Sequence, residues 1–453
     1  MTHLDLAILN GDVVLGDDVV KVNIGVSDGR VALISDAAID ADETIDATGL
    51  TVMPGVIDEH FHCFRGYGWE TYEGATRAAA KGGVTTVVDM PLDKPPTLTA
   101  DALRDKLDAI RDSCHVDYAC FGGYLAEDPD QMTAMADLGA AAFKLFTGGV
   151  APPGMYPGVD EGQTLDALRR AAALGRVTTV HCENAQIVDW ETERLMAAGR
   201  KDLAAWDDAR PWYSEVAAAQ NVALLAEVTG ARVVVAHASS PQTVEAIAAA
   251  RARGADAWAE TCHHYLCTTK EDSVSDIRLK WNPPTRERAS VDWLWRLVAD
   301  GKVHSVGSDH APLPKTVAED IWAQAPGSGN GVEVFFPVFA TEALHRRDIP
   351  ITRIARLVSS NPAHIFGLGP RKGEIALGAD ADFAVVETNG RRTLDARDLE
   401  YHDQEKWSPF DGYELRVYPM YTVLRGRIIY AEGEVTGQPG DGEYLSAVAP
   451  VAA

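Results

Sequence analysis

Eight apolar, β-branched runs recur between residues 50 and 312, with alanine-rich stretches of helical period between them. In order they are LTVMPGVIDEHFH, GVTTVVDMP, VDYACFGGY, AAAFKLFTGG, VTTVHCEN, ARVVVAHASS, ADAWAETCHH and VHSVGSDHAP. EGATRAAAKG, TADALRDKLDAIRD, TLDALRRAAALG, SEVAAAQNVALLAEVTG and SPQTVEAIAAARARG are among the intervening segments. A strand buried on both faces reads as a continuous apolar run, and a helix that returns the chain makes the next strand parallel. Eight such units predict a (β/α)8 barrel over residues 54–367, a class whose usual size is roughly 250 residues or more. An open doubly wound sheet is the weaker reading, because no G-x-G-x-x-G follows the first run.

The two ends have a different texture. LDLAILNGDVV, KVNIGVSDGRVALI and ETIDATGLTVMPG, then GEIALGADADFAVVE and MYTVLRGRIIYAEGEV, read as short strands joined by tight turns. Termini often lie close together, so residues 1–53 and 368–453 are expected to build one small β-sandwich domain.

Charge narrows the partners. Lys plus Arg is 41 and Asp plus Glu 67, a net of −26. That is the wrong sign for nucleic acid or an anionic membrane surface. No run reaches the roughly 18 apolar residues of a membrane span. The N-terminal MTHLDLAILNGDVV lacks a basic, then apolar, leader. The six cysteines, at 63, 114, 120, 182, 262 and 267, include no CxxC pair and are expected as free thiols in a reducing cytoplasm. Zinc on Cys262 and Cys267 is disfavoured by the lack of a second pair.

The chemistry gathers at the ends of the runs. The first ends His60-Phe61-His62, which puts both imidazoles on one face of a strand. Lys144 lies inside the apolar fourth run, His181 ends the fifth, His237 the sixth, and Asp309-His310 the eighth. A strand-end histidine taken alone is commonly structural. A lysine inside an apolar run has to be paired, neutralised or modified. In a (β/α)8 barrel the C-terminal strand ends converge on one site, so four histidines, a lysine and an aspartate are expected to meet there.

With HxH, the apolar-flanked lysine, the two single histidines and SDHAP in place, the chain resembles the amidohydrolase superfamily. Within it the chain is similar to the cyclic-amidase branch of dihydroorotases, hydantoinases and allantoinases. HCEN, NPPTR and NPAHIFGLGPRKGEIALGADADFAVV extend the resemblance over nearly the whole chain. It implies two divalent metal ions, zinc first. His60, His62 and Asp309 would hold the buried ion, His181 and His237 the exposed one. Lys144, as an N6-carboxylysine carbamate made with CO2, would bridge them. Imidazole and carboxylate suit zinc, and water between two cations is deprotonated near neutral pH. The implied reaction is attack of that hydroxide on a cyclic amide carbonyl, with Asp309 moving the proton to the leaving nitrogen. A homo-oligomer, tetramer or dimer, is implied by resemblance alone.

Substrate choice rests on smaller signals. GWETYEGATRAAAKGGVTTVVDMPLDKPPT, RPWYSE and LEYHDQEKWSPFDGYELR look allantoinase-like. Hydantoinases usually carry a tyrosine soon after the lysine. Here the stretch is Lys144-Leu145-Phe146-Thr147-Gly148-Gly149, and Tyr156 could serve only if the loop folds back. Arg65, Asn282, His310 and Asn184 are the candidate substrate binders. A solvent-facing guanidinium, a turn cap before Pro283 and a helix N-cap are the structural alternatives for Arg65, Asn282 and Asn184. Trp69 reads as pocket wall or core, and His263, His264 and His364 as structural. Allantoin to allantoate leads; a hydantoinase, dihydropyrimidinase or dihydroorotase activity is the alternative. A barrel that has lost catalysis is disfavoured because every ligand position is filled.

Overall fold

In the computed structural model the described residues are 3–147, 154–273, 276–314, 319–323, 329–401 and 406–447. All eight predicted runs are strands of one parallel sheet in chain order: Val56–Phe61, Val84–Asp89, Asp117–Gly123, Ala142–Phe146, Val177–His181, Val233–Val235, Ala257–Cys262 and Ser305–Gly307. The first and last meet through a parallel bridge between Phe61 and His310, and the His62 N–H donates to the His310 carbonyl at 2.8 Å. Those contacts close the cylinder, the (β/α)8 barrel expected from the sequence.

The helices form for legible reasons. Glu161–Leu174 begins at Asp160, whose side chain and Gln163 make a reciprocal capping box, and ends at Gly175 with φ of 62°. It buries Thr164, Ala167, Leu168 and Ala171, one stripe at helical spacing. Pro241–Ala252 opens on Ser240 with proline at its first position. No helix among the described residues is long and apolar enough to cross a membrane.

The chain ends build two larger sheets besides a two-stranded one, Arg392–Thr393 with Glu414–Leu415. A four-stranded sheet, in the order Arg30–Ser35, Asn23–Ser27, Leu6–Leu9, Glu43–Asp46, comes wholly from the N-terminal segment. A seven-stranded sheet runs Glu434–Val435, Arg427–Ala431, Tyr418–Leu424, Phe383–Glu387, Thr51–Pro54, Asp12–Leu15, Asp18–Lys21, so it interleaves both ends. Leu6, Ile8, Val13, Ile24, Val26, Val52, Phe383 and Val385 share one core.

Two expected turns are corners between sheets. Leu6–Leu9 and Asp12–Leu15 flank Asn10-Gly11 but do not pair; they join different sheets, as do Glu43–Asp46 and Thr51–Pro54. Two layers packed face to face need the chain to cross between them, and a turn dipeptide looks alike in either use. The expected strand, turn, strand of GEIALGADADFAVVE has only its second strand, Phe383–Glu387.

Candidate active site

The C-terminal strand ends collect the residues that the pattern placed there. His60, His62, Lys144, His181, His237 and Asp309 are all buried. His60 lies on the first strand, Lys144 mid-way along the fourth and His181 at the end of the fifth. His237 and Asp309 follow the sixth and eighth strands by two residues, with φ of 41° and 47°. Non-glycine residues seldom occupy that region, and such strain concentrates at functional sites.

Two groups of ligand atoms result. His60 Nε2 and His62 Nε2 lie 3.3 and 3.5 Å from Asp309 Oδ1. Nitrogen and oxygen ligands about 2.0–2.2 Å from a tetrahedral zinc ion stand roughly 3.3–3.5 Å apart, so these three fit one ion. His181 Nδ1 and His237 Nε2 stand 2.9 Å apart, at hydrogen-bond distance and closer than two ligands on one tetrahedral ion, and face each other as a second candidate pair. The His60 ring is 5.2 Å from that of His237, so the two groups adjoin.

Burial sets the protonation. It pushes His60 down to about 3 and holds His62, His181 and His237 below the ordinary histidine range, with the charge of Lys144 adding to the effect. Neutral imidazole is the form that binds a metal. Burial also lowers Lys144, whose Nζ is enclosed and has no hydrogen-bond partner among the described residues. It lies 5.1 Å from the Phe146 ring. A neutral buried amine is the form that reacts with CO2.

Carboxylates that the sequence reading passed over hold the imidazoles. Glu260 Oε1 is 2.7 Å from His60 Nδ1, and Glu183 Oε2 is 2.8 Å from His181 Nε2 and also pairs with Arg210. Each leaves the opposite ring nitrogen facing the cluster, the usual carboxylate support of a ligand histidine. Ser308 donates its N–H at 2.9 Å and its hydroxyl at 2.5 Å to Asp58, tying the eighth strand to the first just before Asp309. Gly307 lets these groups approach: a Cβ there would stand 3.0 Å from that of His60 and 3.3 Å from Glu260 Oε1. A signal existed for Asp58 and Glu183, each two residues from a site histidine; Glu260 is two hundred residues from His60.

The candidate substrate binders separate. His310 is fully buried; its Nδ1 accepts the Gly331 N–H at 3.0 Å and its ring stacks on Phe61 at 5.3 Å. It belongs to the barrel seam, where its carbonyl helps to close the cylinder, and its Nε2 is enclosed with no partner among the described residues. Asn184 caps the helix Ala185–Ala197, its Oδ1 accepting the Ile187 N–H at 3.1 Å. That is the structural alternative weighed for it. Arg65 is half-buried, with its backbone N–H on Asp93 Oδ1 at 2.9 Å. Asn282 is half-buried, and its Oδ1 is enclosed without a partner among the described residues. Tyr156 does fold back, but its hydroxyl donates to the Lys144 carbonyl at 3.0 Å. Gly148 and Gly149 after Lys144, and residues 402–405 of the LEYHDQEKWSPFDGYELR segment, lie outside the described residues. Trp69 stacks on Tyr67 at 4.6 Å and meets Phe64 at 5.5 Å, with Phe64 stacked on His62. His264 stacks on Trp281 at 4.4 Å.

Comparison with known families is decisive at this point, because the model of the Amidohydrolase family matches residues 51–408. The chain belongs to the amidohydrolase family. It is 33% identical over 453 residues to an L-hydantoinase of Paenarthrobacter aurescens, covering 98% of each chain. It is 35% identical over 435 residues to an allantoinase of Escherichia coli O139:H28, covering 94% of this chain and 95% of that one. Among solved structures, L-hydantoinase (dihydropyrimidinase) from Arthrobacter aurescens superposes with a TM-score of 0.94 at 32% identity, over 98% of this chain and 100% of that one. Dihydropyrimidinase from Brevibacillus agri NCHU1002 gives 0.91 at 26%, covering 99% of both chains. This amidohydrolase thus shares its architecture, barrel and β-sandwich together, with proteins named for opening cyclic amides.

Proposed function

We propose that this amidohydrolase opens a cyclic ureide by hydrolysis, with allantoin as the first substrate and allantoate as the product. The convergence of four neutral histidines, a buried unpaired lysine and an aspartate at one barrel mouth carries the reading, and the allantoinase relative supports the choice of ring. His60, His62 and Asp309 would hold one divalent ion and His181 and His237 a second, with Lys144 as a carbamate joining them; zinc suits these donors. Two bound cations would supply Lewis acidity toward the carbonyl and lower the pKa of water.

The chain's own residues do the rest. Glu260 and Glu183 hold the imidazole rings in orientation. Asp309 Oδ takes the proton that water gives up and delivers it to the ring nitrogen as the C–N bond breaks, leaving a carboxylate and a ureido arm. The aromatic group Phe64, Tyr67 and Trp69 beside His62 walls the site against solvent. Arg65 and Asn282 bind the polar edge of the ring.

A substituted hydantoin is the second reading, favoured by the 33% identity with an L-hydantoinase over nearly the full chain. A turnover screen of allantoin, hydantoin, dihydrouracil and dihydroorotate separates them. Highest kcat/KM on allantoin supports the first reading; a preference for hydantoin replaces it, and no ring opening of any of the four ends both.

We also infer a homo-oligomer. Trp190 and Met196 on the helix Ala185–Ala197, and Trp212, Tyr213, Leu224 and Val228 on Trp212–Thr229, are large apolar side chains left exposed on two neighbouring helices. Exposed apolar side chains of that kind favour a second copy, and light scattering of the purified protein reads the mass directly.

A further inference from the structure

The opposite end of the barrel holds a cavity of about 570 Å3 that the proposed reaction does not use. It forms where the fifth, sixth and seventh strands begin. Arg176 immediately precedes Val177–His181, Arg232 precedes Val233–Val235, and Asp256 precedes Ala257–Cys262. The Thr178 N–H donates to the Arg232 carbonyl at 3.0 Å, so parallel pairing sets the two strand entrances side by side. Arg251, in the last turn of Pro241–Ala252, completes the group with Trp258 and His364. The five-residue strand ending at His181 is about 13 Å long at ~3.3 Å per residue, so the cavity is remote from the histidine cluster.

Its charge is unusual for this molecule. The chain carries a net −26, yet three guanidinium groups line this cavity with one carboxylate, Asp256. Asp256 is already engaged, by Arg232 Nε at 2.9 Å and by the Trp258 indole N–H at 2.6 Å. Arg176 gives one bond, to the Ala447 carbonyl at 3.0 Å, and Arg251 one, to the Ala257 carbonyl at 2.8 Å. A guanidinium has five N–H donors, so most of theirs have no partner among the described residues, where Arg176 Nε and Arg232 Nη1 are also enclosed. Burial disfavours the charged form of Arg176 and Arg251, a cost that a bound anion would offset. The Arg251 guanidinium is fixed 4.0 Å over the Trp258 ring, and the exposed His364 ring lies 5.8 Å from the same indole.

We propose that this cavity at the base of the barrel binds a small oxyanion, a carboxylate or a phosphate, gripped by Arg176, Arg232 and Arg251 beside the Trp258 ring. Planar guanidinium forks match both head groups in bidentate geometry. The site stands apart from ring opening and does not depend on which ureide is the substrate.

Isothermal titration of the full chain tests it, with inorganic phosphate in one arm and malonate in another, each against chloride at matched ionic strength. One saturable site per chain is expected in at least one arm, and the tighter arm identifies the head group. Arg176→Met should weaken it by roughly 10–100-fold, the loss expected for charge-assisted hydrogen bonds, while Arg176→Lys, should the first variant fold poorly, should still weaken it measurably. Ring-opening activity is not the readout, so failure here leaves the catalytic proposal standing. The site is overturned by no saturable heat in either arm, or by unchanged affinity in whichever arginine variant folds.

Discussion

Two regions of the molecule bury a lysine equally deeply and treat it in opposite ways. At the barrel mouth Lys144 has no carboxylate at hydrogen-bond distance among the described residues and is pushed toward the neutral amine. At the seam between the barrel and the terminal sheets, Lys372 Nζ lies 2.5 Å from Asp117, 2.6 Å from Asp382 and 3.1 Å from Asp380, and its pKa is raised. Burial opposes the charge in both places; the three acids outweigh it only at the seam. Lys106, between Asp89 and Asp93, repeats the seam arrangement inside the barrel wall. Depth of burial therefore does not decide what a lysine is for. Direct contact with carboxylates does: it holds Lys372 and Lys106 as cations, whereas Glu260 and Asp309 only partly offset the effect of burial on Lys144.

The sharpest way to break this contrast is Lys144→Ala. Turnover should fall on the order of 10³-fold or more, the several kcal/mol a catalytic metal centre supplies, together with loss of bound metal by elemental analysis. Short carboxylates such as acetate should restore part of the rate. A fully active Ala variant would falsify the carbamate reading, and intact-mass measurement of the wild type should show the added CO2 under non-denaturing conditions. Asp309→Asn is next: kcat should drop by roughly 10²–10⁴-fold, the range for a lost general base, with most of the metal retained. Near-normal kcat in that variant rejects its proton-transfer role. Glu260→Gln should lower metal affinity by about 10–100-fold through the His60 ring it orients; equilibrium competition with a chelator measures this.

At the seam the expected effect is on stability and not on turnover. Lys372→Met leaves Asp117 with Arg425 and Asp380 with Arg371 but takes from buried Asp382 its ion-pair partner, and breaking such a buried pair costs about 3–5 kcal/mol, read by denaturant unfolding. Its kcat per folded molecule should match the wild type; a large kcat change would show that the seam and the mouth are coupled. The pH dependence follows in sign. The folded pKa of Lys372 is raised above the unfolded value, ~10.4, so its stabilisation is fully present below that pH and is lost as pH rises through the folded pKa. The stability gap between wild type and Lys372→Met should thus stay level from about pH 7 to 9 and shrink above pH ~10.4.

Much of this was legible in the sequence, for a local reason. A buried parallel strand announces itself as an apolar run and its helix as an alanine-rich stripe, so all eight strands and their order could be read directly. Polar residues at the C-terminal ends of those runs marked His60, His62, His181, His237 and Asp309, and a lysine inside the fourth run marked Lys144. Pairing was less legible. Asn10-Gly11 reads as a hairpin turn, yet it carries the chain from one sheet to the other. His310 stands beside Asp309 in sequence and packs into the barrel wall, because the chain turns at Asp309, with φ of 47°, and then bridges to Phe61 of the first strand.

What the sequence by itself determined is therefore periodic: the barrel, the terminal β-strands and the set of side chains at the strand ends. What only the tertiary structure decided is which distant groups those side chains meet. Glu260 reaches His60, Asp58 reaches Ser308, and Lys372 finds Asp117, each across at least two hundred residues. Hydrophobic period is a property of neighbours along the chain, whereas protonation and ligand orientation depend on charges brought together only when the cylinder closes.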